Sequence, residues 1–197
     1  MGLAISGSKY RWPNRTIPYA IDPALGCKDA AAAAIAYWNA KTCIRFVPRN
    51  GEIDYVLLYR LPGYAISDVG RRGGEQKVGL GDSSTTGTII HELGHTVGLW
   101  HEHCRNDRDD WVSVDLSNIP AAKRGNYAKN TIAGVDVPTE DIGAYDYGSI
   151  MHYGDRDFAK VVEDPVLTLL HCPPGIEVGQ RKDLSAGDIA TVAAMYP

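Results

Sequence analysis

HELGHTVGLWH, His91 to His101, is the stretch from which the rest of the chain can be read. From Thr86 to Gly98 the apolar residues Ile89, Ile90, Leu93 and Val97 recur at helical spacing, and the pattern stops at Gly98. On that helix His91 and His95 are four residues apart and project from one face, one turn apart, so two imidazoles can hold one ion. Glu92 is rotated by about 100° from His91, where its carboxylate cannot easily join the histidines yet can reach a water beside the metal. That is the position of a general base. Gly98 permits a left-handed turn, so the chain can leave the helix and return with His101 as a third ligand. Three protein ligands leave a fourth position open, which suits one Zn²⁺ per chain and favours hydrolysis.

Upstream the pattern is strand and helix. Thr16 to Asp22 and Ile44 to Pro48 carry β-branched and aromatic residues, and Lys28 to Lys41 between them has Ile35 and Trp38 at helical spacing. Asp54 to Arg60 and Lys77 to Gly81 extend the strands, separated by a glycine-rich loop at Gly70, Gly73 and Gly74. Downstream, the run through Gly154 is rich in Asp, Asn, Gly and Tyr, with a short helix near Ala121 to Tyr127. The last element is Ser185 to Met195, opened by Ser185 and Asp188 as a capping box.

The 197 residues, 44% of them hydrophobic, suffice for one domain with a sizeable core. With 20 basic and 24 acidic residues and a net charge of -4, the footprint of a nucleic-acid binder is missing. No apolar run reaches the roughly 18 residues that span a bilayer, so no membrane partner is expected. Met1 to Tyr10 lacks the basic opening and apolar core of a signal peptide, so the protein is either cytosolic or has lost its signal. Cys27, Cys43, Cys104 and Cys172 form no CxxC pair and allow three disulfide connectivities. Cys27 and Cys43 flank a predicted helix and would stand roughly 24 Å apart along it, well beyond disulfide reach.

HExxH alone recurs by chance, but Gly98 and His101 complete HExxHxxGxxH, the metzincin signature, and Met151 in SIMHY (Ser149 to Tyr153) fits its downstream methionine turn. Tyr153 follows two residues later, where its phenol can approach the metal or donate to an oxyanion. HELGHTVGLWHEH, then RNDRD and SIMHYG, resembles the astacin family of zinc endopeptidases. TCIRFVPR (Thr42 to Arg49), TGTII (Thr86 to Ile90) and the ending GQRKDLSAGDIATVAAMYP (Gly179 to Pro197) extend the likeness over most of the chain.

The resemblance implies zinc ligands His91, His95 and His101, general base Glu92, turn methionine Met151, and Tyr153 as a switchable fifth ligand that stabilises the transition state. It implies an α+β fold in a single catalytic domain, residues 1-197. An N-terminal lobe, about 1-98, carries a mixed sheet with two helices; a loop-rich C-terminal lobe, about 99-197, carries a terminal helix; the active-site cleft lies between. It further implies secretion, a zymogen, a monomer, and extended protein or peptide substrates laid against an edge strand, here expected at Lys77 to Gly81. Glu102 resembles the family glutamate that receives the trimmed N-terminus, although the chain starts about two residues early, at Met1 and Gly2. The family's disulfide from the cysteine matching Cys43 has no C-terminal partner here. Its second disulfide has no cysteine within Gly63 to Ser83, and Cys104 and Cys172 are additions.

His103 and His152 lack ligand spacing and are expected to support the site from outside. His171 reads as a surface residue. Asp107, Asp109 and Asp110 lack the Gly and Glu of an EF-hand loop and, interleaved with Arg105 and Arg108, read as a salt-bridged turn. Asn14 to Thr16 (NRT) matches a glycosylation acceptor, and Lys160 is a candidate cation on the primed side. The competing reading is a non-catalytic, zinc-containing binding module of the same fold.

Overall fold

In the computed structural model, which describes residues 2–129, 131–132 and 135–197, the chain opens with strand β1 (Gly2–Ile5). It then builds a mixed sheet from β2 (Thr16–Ile21), β3 (Arg45–Pro48), β4 (Tyr55–Arg60), β5 (Ile66–Ser67) and β6 (Glu75–Leu80). Helix α1 (Lys28–Lys41) connects β2 to β3, and α2 (Thr86–Val97) follows β6. The spatial order is β3-β2-β4-β6-β5, with every neighbouring pair parallel except β5 against β6.

The alternation read in the sequence decides which face is buried. Val56 and Leu58 of β4 are buried while Tyr55, Leu57 and Tyr59 are only half-buried. Together with Ile17, Phe46, Val78 and Leu80 they pack on Ala31, Ala34, Ile35 and Trp38 of α1 and on Ile89, Ile90, Leu93 and Val97 of α2. The alanines keep α1 slim enough for the Trp38 indole N–H to donate to the Ile90 carbonyl, 3.0 Å away, which ties α1 to the histidine-bearing helix.

The edge of this sheet differs from the expectation. Lys77 to Gly81 lies within and just after β6, and β6 is covered by β5, with Ile66 opposite Gly79 and Ser67 opposite Val78. A two-residue strand is too short to show alternation, so β5 left no trace in the sequence pattern.

The second half contributes β7 (Leu99–Trp100), β8 (Val112–Val114), a 3₁₀ helix over Ala121–Tyr127, β9 (Thr131–Ile132), β10 (Val135–Asp136), β11 (Thr139–Ile142), β12 (Leu167–Leu169) and α3 (Ala186–Met195). Strands β8 and β12 pair, as do β9 and β10. Strand β1 crosses into this half and lies between β11 and β7, with Leu3 opposite Trp100 and Ala4 opposite Leu99. All four of its residues are buried, so the start of the described chain is a packed strand. Met1 lies outside the described residues.

The structure shows no disulfide: Cys27, Cys43, Cys104 and Cys172 are all free thiols. Cys27 and Cys43 sit at opposite ends of α1, and Cys104 is buried while Cys172 lies on a loop. Cys43 rests against the Tyr196 carbonyl at 3.9 Å instead of a second sulfur.

Candidate active site

Helix α2 begins at a Thr85 cap whose hydroxyl accepts from the Thr88 N–H, and it ends at Gly98, where φ is +119°. A side chain at Gly98 would also collide, since an added Cβ would lie 2.9 Å from the Met195 methyl and 3.3 Å from Ile5. Glycine is needed there for both conformation and space. Strand β7 then returns the chain, pinned by β1, and delivers His101 beside the other two histidines.

The three rings form a tight, buried triangle, with centroids 4.7 Å (His91–His95), 4.8 Å (His95–His101) and 5.5 Å (His91–His101) apart. One ligand atom from each lies within 4.8 Å of the others. The His91 Nδ1–H donates to the Ile150 carbonyl at 2.8 Å, and the His95 Nδ1–H to the Leu99 carbonyl at 2.9 Å. Carbonyls only accept, so Nδ1 carries the proton in both rings and Nε2 presents its lone pair. Burial lowers the pKa of all three, that of His95 to about 4, and repulsion from Arg181 adds to it. Three neutral imidazoles, two of them with the tautomer fixed by a carbonyl acceptor, fit a zinc ion held by three nitrogens.

Glu92 is buried on the same helix, and its carboxylate makes no hydrogen bond among the described residues. Burial raises its pKa to about 7, with Arg181 opposing. Tyr153 sits over His101 with ring centroids 4.4 Å apart and against His103 at 4.1 Å, and Tyr127 and Phe158 close the aromatic slot around it. Met151 is buried beneath α2: a Cβ at Gly94, between His91 and His95, would lie 2.9 Å from its sulfur.

His152 supports the site, its Nδ1–H donating to the Tyr153 carbonyl at 2.6 Å while Nε2 accepts from the Tyr145 hydroxyl at 2.7 Å. His103 is buried and donates from Nε2 to the Asn126 carbonyl at 3.0 Å, and His171 is exposed. Arg105 pairs with Asp107, and Arg108 and Lys129 with Asp109, so that segment is a salt-bridged turn. Glu102 is fully buried; Oε1 accepts from the Asp146 N–H at 2.9 Å, and Oε2 has no hydrogen-bond partner among the described residues. A Cβ on Gly2 would lie 3.5 Å from that oxygen, which places the start of β1 beside it.

Three supporting residues escaped the sequence reading. Arg181 is a half-buried cation beside the methionine turn, and its Nη1 donates to the carbonyls of Ile150 and His152 at 2.9 and 3.1 Å, while Lys160 is exposed. Asp188, legible as a cap, also accepts from Ser149 Oγ at 2.6 Å and from the Ile150 N–H at 3.0 Å, so it joins the start of α3 to the methionine turn. Gly87 lets the Arg181 backbone approach α2 so closely that an added Cβ would fall 1.6 Å from the Arg181 carbonyl oxygen. Only the glycine in TGTII hinted at this, because close approach is not a periodic signal.

A buried three-histidine cluster, an adjacent unpaired glutamate and an underlying methionine turn define a metzincin-type site. The chain belongs to the astacin family of peptidases, whose model matches residues 4–197. It is 38% identical over 198 residues to nematocyst expressed protein 6 of Nematostella vectensis, covering 95% of this chain and 66% of that protein. It is 35% identical to bone morphogenetic protein 1 of Xenopus laevis, covering 94% of this chain and 27% of that one. Its fold is similar to that of high choriolytic enzyme 1, a hatching enzyme zinc-protease from Oryzias latipes, with a TM-score of 0.84, 31% identity and 98% of each chain covered. The chain spans between a fifth and two thirds of the length of the curated relatives it matches.

Proposed function

We propose that residues 1–197 form a single catalytic domain that hydrolyses peptide bonds in extended polypeptides, with one zinc ion held by His91, His95 and His101. The carrying observation is the buried triangle of neutral imidazoles with the unpaired Glu92 carboxylate next to it. Zinc bound there supplies a Lewis acid and makes water a stronger acid near neutral pH. Glu92 takes the proton of the attacking water and passes it to the leaving amine; a carboxyl with a pKa near 7 can do both. Tyr153, ionised only at high pH because burial raises its pKa, donates its phenolic proton to the oxyanion.

The substrate lies along the open side of β5, where unpaired backbone groups receive an extended chain. Glu102 receives an amino group from a trimmed start of the chain, in keeping with its unpartnered Oε2 beside Gly2. The protein acts as a secreted monomer released from a zymogen, with no nucleic-acid or membrane partner. A non-catalytic module has no use for an unpaired carboxylate beside an open metal position, so the peptidase reading is preferred.

The test is cleavage of unfolded casein by the chain loaded with one zinc. Cleavage that a chelator abolishes and added zinc restores is expected; a zinc-loaded, folded chain that cuts nothing overturns the reading.

A further inference from the structure

Behind the third histidine stands a second group of metal-capable side chains that the peptidase reading does not use. One ligand atom each of His101, His103 and Cys104 lie within 4.8 Å of one another, and all three residues are buried. The ring geometry repeats that of the first site: His101 and His103 are 5.5 Å apart with planes at 21°, against 5.5 Å and 19° for His91 and His101. Cys104 Sγ is 3.5 Å from His103 Nε2.

Buried polar atoms are ordinarily hydrogen-bonded, yet Nδ1 of His101 and Nδ1 of His103 have no partner among the described residues. For His101 the gap sets it apart from His91 and His95, which both anchor Nδ1 on a carbonyl, as ligand histidines usually do. A single acceptor, the Asn126 carbonyl, serves both the Cys104 thiol at 3.2 Å and the His103 ring at 3.0 Å. The cluster thus combines a thiol and two ring nitrogens without partners around a carbonyl oxygen whose two lone pairs are already taken.

We propose that His101, His103 and Cys104 form a second, soft-metal site that shares His101 with the zinc site, and that excess zinc or cadmium inhibits the enzyme through it. Thiolate and imidazole together select soft divalent ions. Imidazole has two nitrogens, so one ring can serve two ions. Binding exchanges the Cys104 thiol proton and the His101 ring proton for the ion; both protons go to solvent and no electrons are transferred. His103 binds through a nitrogen lone pair. An ion there draws electron density from His101 and ties down the ring against which Tyr153 packs, so inhibition follows from occupancy. The inference rests on the peptidase reading for the occupant of the first site and for the activity that is inhibited; metal uptake at Cys104 is independent of it.

The test titrates the chain carrying one zinc with Cd²⁺ alone, following metal content, the ultraviolet thiolate-to-cadmium absorption, and peptide cleavage. Cys27, Cys43 and Cys172 are partly exposed thiols, so each is replaced by serine and the titration is run with and without Cys104→Ser; His103→Gln is the second variant should that serine impair folding. With Cys104 present, one cadmium is taken up beside the retained zinc, the absorption appears and most activity is lost; Cys104→Ser removes the absorption and protects activity. Cadmium uptake that ignores Cys104, uptake without loss of activity, or one-for-one replacement of the zinc overturns the proposal. A chain that accepts no first zinc fails the peptidase reading instead, which is a distinguishable result.

Discussion

Gly87→Ala sets two effects of opposite sign against each other. Alanine in the first turn of α2 gains about 1 kcal/mol of helix propensity over glycine. Its Cβ, however, would lie 1.6 Å from the Arg181 carbonyl oxygen and 2.4 Å from the carbonyl carbon, whereas Cβ contacts shorter than 3.0 Å are essentially never seen. Backbone must therefore move by more than an ångström. Overpacking of this kind costs about 1–3 kcal/mol, so net destabilisation is expected, and at about 2–4 °C per kcal/mol Tm falls by a few degrees. The larger effect is on rate. Arg181 moves with its backbone, and with it the guanidinium that holds the carbonyls of Ile150 and His152 on either side of Met151. A misplacement of about 1 Å in the support of a site can cost about 10²-fold. The assay is kcat/KM on a fluorogenic peptide together with zinc content and Tm. The expected result is a loss of about 10²-fold with zinc retained. Wild-type kcat/KM with a raised Tm would mean that helix propensity alone governs the position, and would refute the packing argument.

Tyr153→Phe keeps the aromatic slot but removes the donor, so kcat should fall about 10²-fold while KM and zinc affinity hold; an unchanged kcat contradicts the oxyanion role. Asp188→Asn weakens the acceptor shared by Ser185, Ser149 and Ile150, and should cost about 2–3 kcal/mol and speed zinc release through His91, which hangs on the Ile150 carbonyl. Equal denaturation midpoints and zinc off-rates would disprove that link. His152 gives a pH prediction. Burial lowers its pKa from 6.5 to about 4, so the unfolded chain binds the proton more readily. Its contribution is complete above pH 6.5 and is lost as pH falls towards 4, by up to about 1.4 kcal/mol per pH unit. Denaturant midpoints measured across that range should drop, and His152→Gln should flatten the slope.

The two kinds of element were not equally legible. Helix α1 was readable to the residue because an alanine run with Ile35 and Trp38 on one face has few alternatives, and α2 and α3 announced their ends through Gly98 and the Ser185–Asp188 box. The histidine cluster was legible because helical spacing and a left-handed glycine are local facts. Strand β1 was not, since GLAI owes its strand to pairing with Trp100 and Leu99, distant in sequence. The edge was misread for a related reason: β5 is only two residues long and exists through its register on β6. Arg181 and Gly87 work through a backbone contact between residues 94 positions apart, which leaves no periodicity to read.

The most direct measurement of the central claim compares wild type with Glu92→Gln, each carrying a measured one zinc per chain, on the same unfolded protein substrate. The account predicts equal zinc and equal fold, with turnover reduced about 10²–10⁴-fold in the variant, because glutamine fills the same space but takes no proton. Undiminished turnover by zinc-loaded Glu92→Gln would contradict it.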